Sequence, residues 1–316
     1  MNPLFSKEKK LLQFIIKRVL IAIPTLLVLI TISFVLVHSA PGSPFTDDRN
    51  ISPAIMKNIE AKYHLDKPLY VQYVYYLKDV VTWDFGPSFK YKDFSINDLV
   101  NESFSVSLKI GFWAFLFAVL AGMACGIVAA LNQNTKIDYA VMSFAMVGVA
   151  IPNFVLGPIL VVVFAIYFKV LPAGGWNGGG LEYLILPVFA MSFRYIASIA
   201  RIMRASMIEV LNSNFIRTAK AKGMGKTYII FHHALRPSIL PVVSYMGPAF
   251  VGIITGSVVI ETIFGLPGIG QLFVNGALNR DYNMVLTLTI IVGGLMILFN
   301  TIVDILYVVI DPKIKY

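Results

Sequence analysis

The stretch RTAKAKGMGKTYIIFHHALRPSILP, Arg217 to Pro241, decides which fold the chain can have. Read one way, Gly225-Lys226-Thr227 closes a phosphate-binding loop and the chain is a nucleotide-binding α/β protein. Read the other way, Arg217, Lys220, Lys222, Lys226 and Arg236 mark a polar loop between apolar segments. A phosphate loop needs G-x-x-x-x-G-K-[ST] between a strand and a helix. Its first glycine position holds Lys220, and the upstream SMIEVLNSNFIRTAKAK (206–222) reads as helix. The first reading fails on both counts.

Composition agrees with the second. The chain is 57% hydrophobic and 14% charged, with a mean hydropathy of +0.76. Soluble domains are about a quarter charged, so a soluble chain of this size would lack polar surface. Six apolar segments, at 19–37, 105–131, 139–168, 182–205, 238–260 and 284–310, are candidates for bilayer crossings, which need ~20 residues each. Backbone polar groups in lipid must be satisfied within the segment, and no period-two alternation of a membrane barrel is present, so helices are predicted. The expected fold is all-α, a polytopic membrane protein with six transmembrane helices.

Basic residues orient it. A cytoplasmic tail is predicted at 1–18, where Lys7, Lys9, Lys10, Lys17 and Arg18 precede the first span. That span, 19–37, is too long for a signal-peptide core, and Pro41 directly follows the small pair Ser39-Ala40, so it reads as retained. Residues 39–104 carry seven basic and nine acidic residues and are placed outside. Within them NIEAKYHLDKPLYVQYVYYLKDV (58–80) has helical spacing, which predicts an external helical subdomain. Region 194–236 has eight basic residues against Glu209 alone and is placed inside. Six spans return the C-terminus, 311–316, to the cytoplasm beside Lys313 and Lys315. The net charge of +9 is thus assigned to cytoplasmic loops rather than to nucleic acid.

Enzymatic and metal chemistry find little support in the sequence. His232 and His233 are adjacent, whereas helical metal ligands sit at i and i+4, so they read as a satisfied interfacial pair. Cys125 is the only cysteine and reads as a packing residue. No metal, cofactor or catalytic residue is predicted. A membrane enzyme built on His232, His233 and Lys226 lacks a nucleophile–base pair. A proton-coupled carrier would favour ionisable residues within spans, and Asp304 is the clear case.

What remains of the opening stretch is a helix, a glycine break and a second helix. Ser213 stands at the N-cap position and Gly223 at the stop. A short helix on a basic internal loop suits insertion into a partner's groove, and suits equally a solvated loop.

A resemblance decides between them. Importers of the ATP-binding-cassette class carry a cytoplasmic loop E-A-A-x-x-x-G-x9-I-x-L-P. Here Arg217-Thr218-Ala219 precede three residues, Gly223, nine residues and His233-Ala234-Leu235-Arg236. The spacing is kept, although Arg217 stands for Glu and the final Ile and Pro are replaced. This form is similar to the peptide-permease variant and unlike those of sugar or amino-acid permeases. APGSPF (40–45), NIEAKYHLDKP (58–68), DFGPSFKYKD (84–93), NFIRTAKAKG (214–223), GSVVIETIFGLPGIGQLF (256–273) and the terminal VIDPKIKY extend the resemblance over nearly the whole chain. It is to the B-type permease subunits of bacterial oligopeptide importers. The resemblance implies the type I importer permease fold, a five-helix core at 105–310, and a cytoplasmic coupling loop at 206–237. Arg217, Thr218, Ala219, Lys220, Ala221, Lys222 and Gly223 would form the coupling helix. It implies location in the bacterial inner membrane. It also implies a second homologous permease subunit, two ATP-binding subunits that hydrolyse the ATP, an external peptide-binding protein and a peptide substrate. Dipeptides, nickel chelates or other small cargo are the alternative.

Two further residues are candidates for the pathway or a gate. Glu261, in the glycine-rich outer stretch, would contact substrate or face water. Arg194 shares a helix face with Arg201 and Arg204 at offsets of seven and three, and should face protein or a cavity, while Arg201 and Arg204 snorkel. Lys109 is expected to snorkel too, and GGWNGGG (174–180) to form a flexible outer turn.

Overall fold

The computed structural model describes residues 3–39, 66–88, 90–91, 94–255 and 257–310. Among them no strand forms, and Pro87 and Ser95 make one isolated antiparallel bridge. The helices are α1 (Pro3–Ser39), α2 (Leu69–Thr82), α3 (Ile96–Leu131), α4 (Lys136–Ala150) and α5 (Asn153–Leu160). They continue with α6 (Leu181–Leu211), α7 (Asn214–Ala221), α8 (Lys226–Tyr228), α9 (Leu235–Thr255), α10 (Ser257–Phe264), α11 (Ile269–Leu278) and α12 (Tyr282–Ile310). Wider π-helical turns extend α5 over Val161–Tyr167 and join α8 to α9 over Ile229–Ala234.

Five helical stretches are long and apolar enough to cross a bilayer, and two helix pairs are bent. The first pair, α4 and α5, turns by 107°. Sequence reading took 139–168 as one run; Pro152 breaks it, because the residue before a proline is pushed out of helical geometry, and Ile151 is extended. The second pair, α10 and α11, turns by 92° across Gly265-Leu266-Pro267-Gly268, where Gly265 has φ +61°.

Side-chain contacts give the directions. Gly122 of α3 meets Ile199 of α6, and Gly126 meets Ala200 and Met203, so α3 and α6 run parallel. The chain between them must cross back, which makes bent α4–α5 one crossing. Gly247 of α9 faces Val303 of α12, while Ile254 lies on Gly111 and Met284 packs with Ile96 and Val100. The end of α9 and the start of α12 therefore lie at the end where α3 begins. The α10–α11 pair between them enters and returns on that side as a re-entrant loop. α1 is antiparallel to α12, with Leu29 on Gly293 and His38 beside Tyr282. This makes six crossings, with the start of α1, the end of α12 and the 212–225 loop at one end.

The tightest seam is the α3–α6 pair. A Cβ added at Gly122 would lie 2.7 Å from Cβ of Ile199, and one at Gly126 would lie 2.6 Å from the Ala200 carbonyl oxygen. Gly148 of α4 approaches Ala197 in the same way, at 3.1 Å. Small residues let membrane helices approach closely enough for dispersion to hold them. The seam feeds two apolar clusters, one around Ile110, Met191, Ile260 and Phe264, the other around Met203, Met207, Ile216 and Val242.

Pro68 opens α2, which lays Tyr76 against Ile30, Phe34, Leu286 and Ile290 of α1 and α12. Residues 40–65, the first part of the expected outer subdomain, lie outside the described residues, as does the C-terminal 311–316. Ser95 caps α3, its hydroxyl accepting from the Asp98 amide at 3.1 Å. Asp281, 1% exposed, accepts from the Ser88 hydroxyl at 2.5 Å and the Met284 amide at 3.2 Å, which ties the 84–95 loop to the start of α12.

Candidate functional site

The polar segment lies at the end of the bundle where α6 stops. α6 ends at Leu211 and Ser213 turns the chain into α7. Ser213 holds the N-cap position without capping: its hydroxyl donates to the Val210 carbonyl at 2.6 Å, back into α6. The other end of α7 is built as the sequence suggests. Gly223 has φ +76°, its amide donates to Lys220 O at 3.0 Å, and the Met224 amide reaches Ala219 O at 3.3 Å. That pair of bonds is the Schellman stop, which needs a left-handed residue where glycine costs nothing.

α7 is strongly two-faced. Ile216 is fully buried and Ala219 is 6% exposed, both packed with Met203, Met207 and Ala130. Asn214, Phe215, Arg217, Thr218, Lys220, Ala221, Lys222 and Gly223 are exposed. Of the residues expected to form the coupling helix, Ala219 therefore points into the chain's own core, while the other six present outward. The exposed Phe215 was missed by sequence reading. An apolar ring on an otherwise charged helix surface is its signature, and periodicity alone would have drawn it inward with Ile216. Arg217, Lys220, Lys222, Lys226 and Arg236 are all exposed and have no ion pair among the described residues. Behind α7, Tyr228 stacks on His232 with ring centroids 4.2 Å apart. His233 is not satisfied as expected, because its buried Nε2 has no hydrogen-bond partner. No cluster that could hold a metal forms among the described residues.

Glu261 departs from expectation. It neither faces water nor lies on an open surface: it is fully buried. Its carboxylate accepts from the Ser107 hydroxyl at 2.6 Å, the Gly270 amide at 2.8 Å and the Gln271 amide at 3.3 Å. The Ser107 oxygen accepts in turn from the Ile269 amide at 2.9 Å. Glu261 therefore occupies the N-terminus of α11, where free amides and the helix dipole favour an anion. A Cβ at Gly270 would lie 2.5 Å from the Val258 backbone and 2.8 Å from this carboxylate, so glycine is required for the closure. The residue clamps the re-entrant loop to α3.

The 174–180 turn, expected to be flexible, is pinned. The Gly175 amide donates to Phe264 O at 2.7 Å. Lys109 is exposed and reaches this turn: its ammonium donates to Gly179 O at 3.0 Å and sits 5.4 Å from the Trp176 ring centroid. Cys125 borders a small apolar gap with Phe144, Phe193 and Ile196, in keeping with packing.

The three arginines of α6 divide. Arg204 does not snorkel. Its guanidinium forms two hydrogen bonds of 2.6 Å to the two carboxylate oxygens of Asp138, which also accepts from the Asn134 amide. Asp138, 1% exposed, was missed by sequence reading, which began the third apolar segment one residue later, at 139. Arg201 is exposed and touches the Met146 sulfur at 3.4 Å. Arg194 is exposed in the middle of α6. The side chain of Asp304 lies outside the described residues.

Comparison with known proteins fits this architecture. Residues 122–316 match the family described as binding-protein-dependent transport system inner membrane component, and residues 11–92 match its N-terminal region. Proteins named oligopeptide transport system permease protein OppB, from Escherichia coli (strain K12) and Haemophilus influenzae, are 66% and 64% identical to this chain. Each alignment spans 306 residues, 97% of this chain and 100% of the relative. The solved MetNI methionine ABC transporter in inward-facing conformation shares the fold with a TM-score of 0.58 at 15% identity, over 67% of this chain and 96% of that one. With these matches extending over nearly the whole length, the chain belongs to the family of inner membrane components of binding-protein-dependent transport systems.

Proposed function

We propose that this chain is the permease subunit of an ATP-driven oligopeptide importer and forms half of a translocation pathway in a bacterial inner membrane. The observation that carries the reading is full-length identity of 64–66% to oligopeptide permeases. The two-faced α7 supports it, because its exposed cationic face is built for contact while its apolar face is anchored to the spans.

The remaining parts follow from the same reading. A second, homologous permease subunit completes the pathway, two ATP-binding subunits hold the exposed face of α7, and an external peptide-binding protein delivers cargo. Both chain ends and the 206–237 loop are cytoplasmic, and 39–104 is outside, where α2 and the pinned outer turn cover the bundle. This chain hydrolyses no ATP. Closure of the ATP-bound motor displaces α7. Because Ile216 and Ala219 are embedded among α3 and α6 side chains, the displacement passes into those spans and alternates access. Such a shift requires the motor to bind one state of the bundle better than the other.

The test is uptake. Cells in which this chain is the sole permease subunit of its kind should accumulate labelled tetra- and pentapeptides in an ATP-dependent manner, and affinity capture of the chain should retrieve two ATP-binding subunits and a second permease. Uptake of nickel chelates or dipeptides to the exclusion of longer peptides would replace the cargo. Capture of the chain alone would remove the importer reading.

A further inference from the structure

α6 is the most enclosed crossing of the bundle, and the residues it leaves open in its middle and lower half are unusual. Arg194, Arg201, Ala205 and Glu209 are exposed, with Ser198 half-exposed between the first two. Offsets of four, three, four and four place them on one stripe. None is a large apolar residue, whereas the open faces of α3 and α4 carry Phe112, Trp113, Leu120, Phe144 and Val147, as a lipid-facing surface should.

No described acidic side chain serves these two guanidinium groups. Asp138 is taken by Arg204, Glu261 is enclosed by Ser107 and Gly270, and Glu182 and Glu209 lie near the two ends of α6. An arginine at this depth does not face hydrocarbon; such residues mark water-filled routes or bound anions.

The neighbouring helix gives an independent sign of water. Pro241, Ser244 and Pro248 of α9 are exposed at offsets of three and four, again one stripe. Proline has no N–H, so the carbonyls of Pro237 and Ser244 lose their usual helical donors. In lipid such carbonyls must find partners, and along an aqueous wall water supplies them. Tyr195, next to Arg194, touches Gly252 of α9, which sets the two stripes on adjoining crossings.

We infer that Arg194 and Arg201 bind the terminal carboxylate of a peptide in transit, an inference that rests on the permease reading above. Every linear peptide carries that carboxylate whatever its side chains, so a guanidinium handhold suits a carrier of varied sequences. The planar fork of arginine matches a carboxylate in two hydrogen bonds. Seven residues separate the two groups by about 10 Å along the axis, one step of a descending path. Both remain open to water, which keeps each contact weak enough to release, as conduction through successive sites requires.

The test uses the complete importer reconstituted in phosphatidylcholine vesicles with the external binding protein at saturation. Labelled tetra-alanine is offered as the free acid and as its C-terminal amide, and each rate is referred to the wild-type rate for the same peptide. Arg194→Gln should slow the free acid about tenfold, equivalent to ~1.4 kcal/mol, and leave the amide within about twofold. Arg194→Lys should recover part of the loss, and Arg201→Gln should act in the same direction. An equal fall for acid and amide, or no fall for either, overturns the inference and leaves Arg194 a contact of the partner subunit or a spectator. If the acid-specific loss appears only when phosphatidylglycerol is added, the anion is a lipid phosphate and the inference is again wrong. A wild-type complex that moves neither peptide overturns the permease reading itself, and this inference with it.

Discussion

Replacing Glu261 by alanine should release the re-entrant loop, and the size of the effect follows from its contacts. The carboxylate takes two strong hydrogen bonds, from the Ser107 hydroxyl and the Gly270 amide, and one longer bond from the Gln271 amide. A buried donor left without an acceptor costs about 1–3 kcal/mol. Two such donors make about 4 kcal/mol, and opening of the loop should become about a thousandfold more frequent. Glu261→Gln keeps the volume and one acceptor oxygen but turns an N–H toward a donor, so about half that cost is expected. Leu266, fully buried at the bend, is the reporter. With Cys125→Ser in the background, Leu266→Cys should react slowly with a small maleimide, faster with Glu261→Gln and fastest with Glu261→Ala. Because the reporter is common to all three, its own cost cancels. A labelling rate in Glu261→Ala within threefold of the parent would refute the clamp.

Three other expectations are open to direct measurement. On α7, Thr218→Trp and Phe215→Asp should abolish peptide uptake with normal membrane levels, because both alter the exposed face; normal uptake in both would remove docking from that face. Ala219→Trp should act differently, lowering the membrane level of the chain itself on immunoblots, since overpacking a core costs about 1–3 kcal/mol and Ala219 lies against Met203 and Met207. Asp138→Asn should destabilise the purified complex by about 3–5 kcal/mol, as removal of one partner strands the Arg204 charge, with Asp138→Asn/Arg204→Met partly restoring the detergent melting temperature; equal melting of the single and double variants would count against the pair.

The crossings were legible because each is an apolar run with a single sense, and the stop of α7 was legible because Gly223 is a local signal. The bend in α4–α5 could have been read from Pro152. Pairings between distant residues could not. Ser107 lies 154 positions from Glu261, and nothing in either neighbourhood announces that a hydroxyl and a carboxylate will meet in the interior. The same holds for Asp138 and Arg204, 66 positions apart. Ala219 failed for another reason. On a short helix with Ile216 inward, the residue three positions later is carried to the same side, whereas the motif gave only the spacing of the loop and no sense of which face turns outward.

The glycine seam has a mechanical consequence. Side chains that interdigitate at arm's length can slide, but at Gly122 and Gly126 the two backbones are nearly in touch, and a displacement of α6 carries α3 with it. α6, at 31 residues, is a rod about 46 Å long. Tilted by about 10° from its α7 end, such a rod sweeps its far tip through roughly 8 Å, more than the width of an extended peptide backbone. Compliance then resides at the prolines, Pro241 and Pro248 of α9 and Pro187 in the second turn of α6, which remove ladder bonds that would resist flexing. A stiff seam between such hinges has the parts of a pump handle.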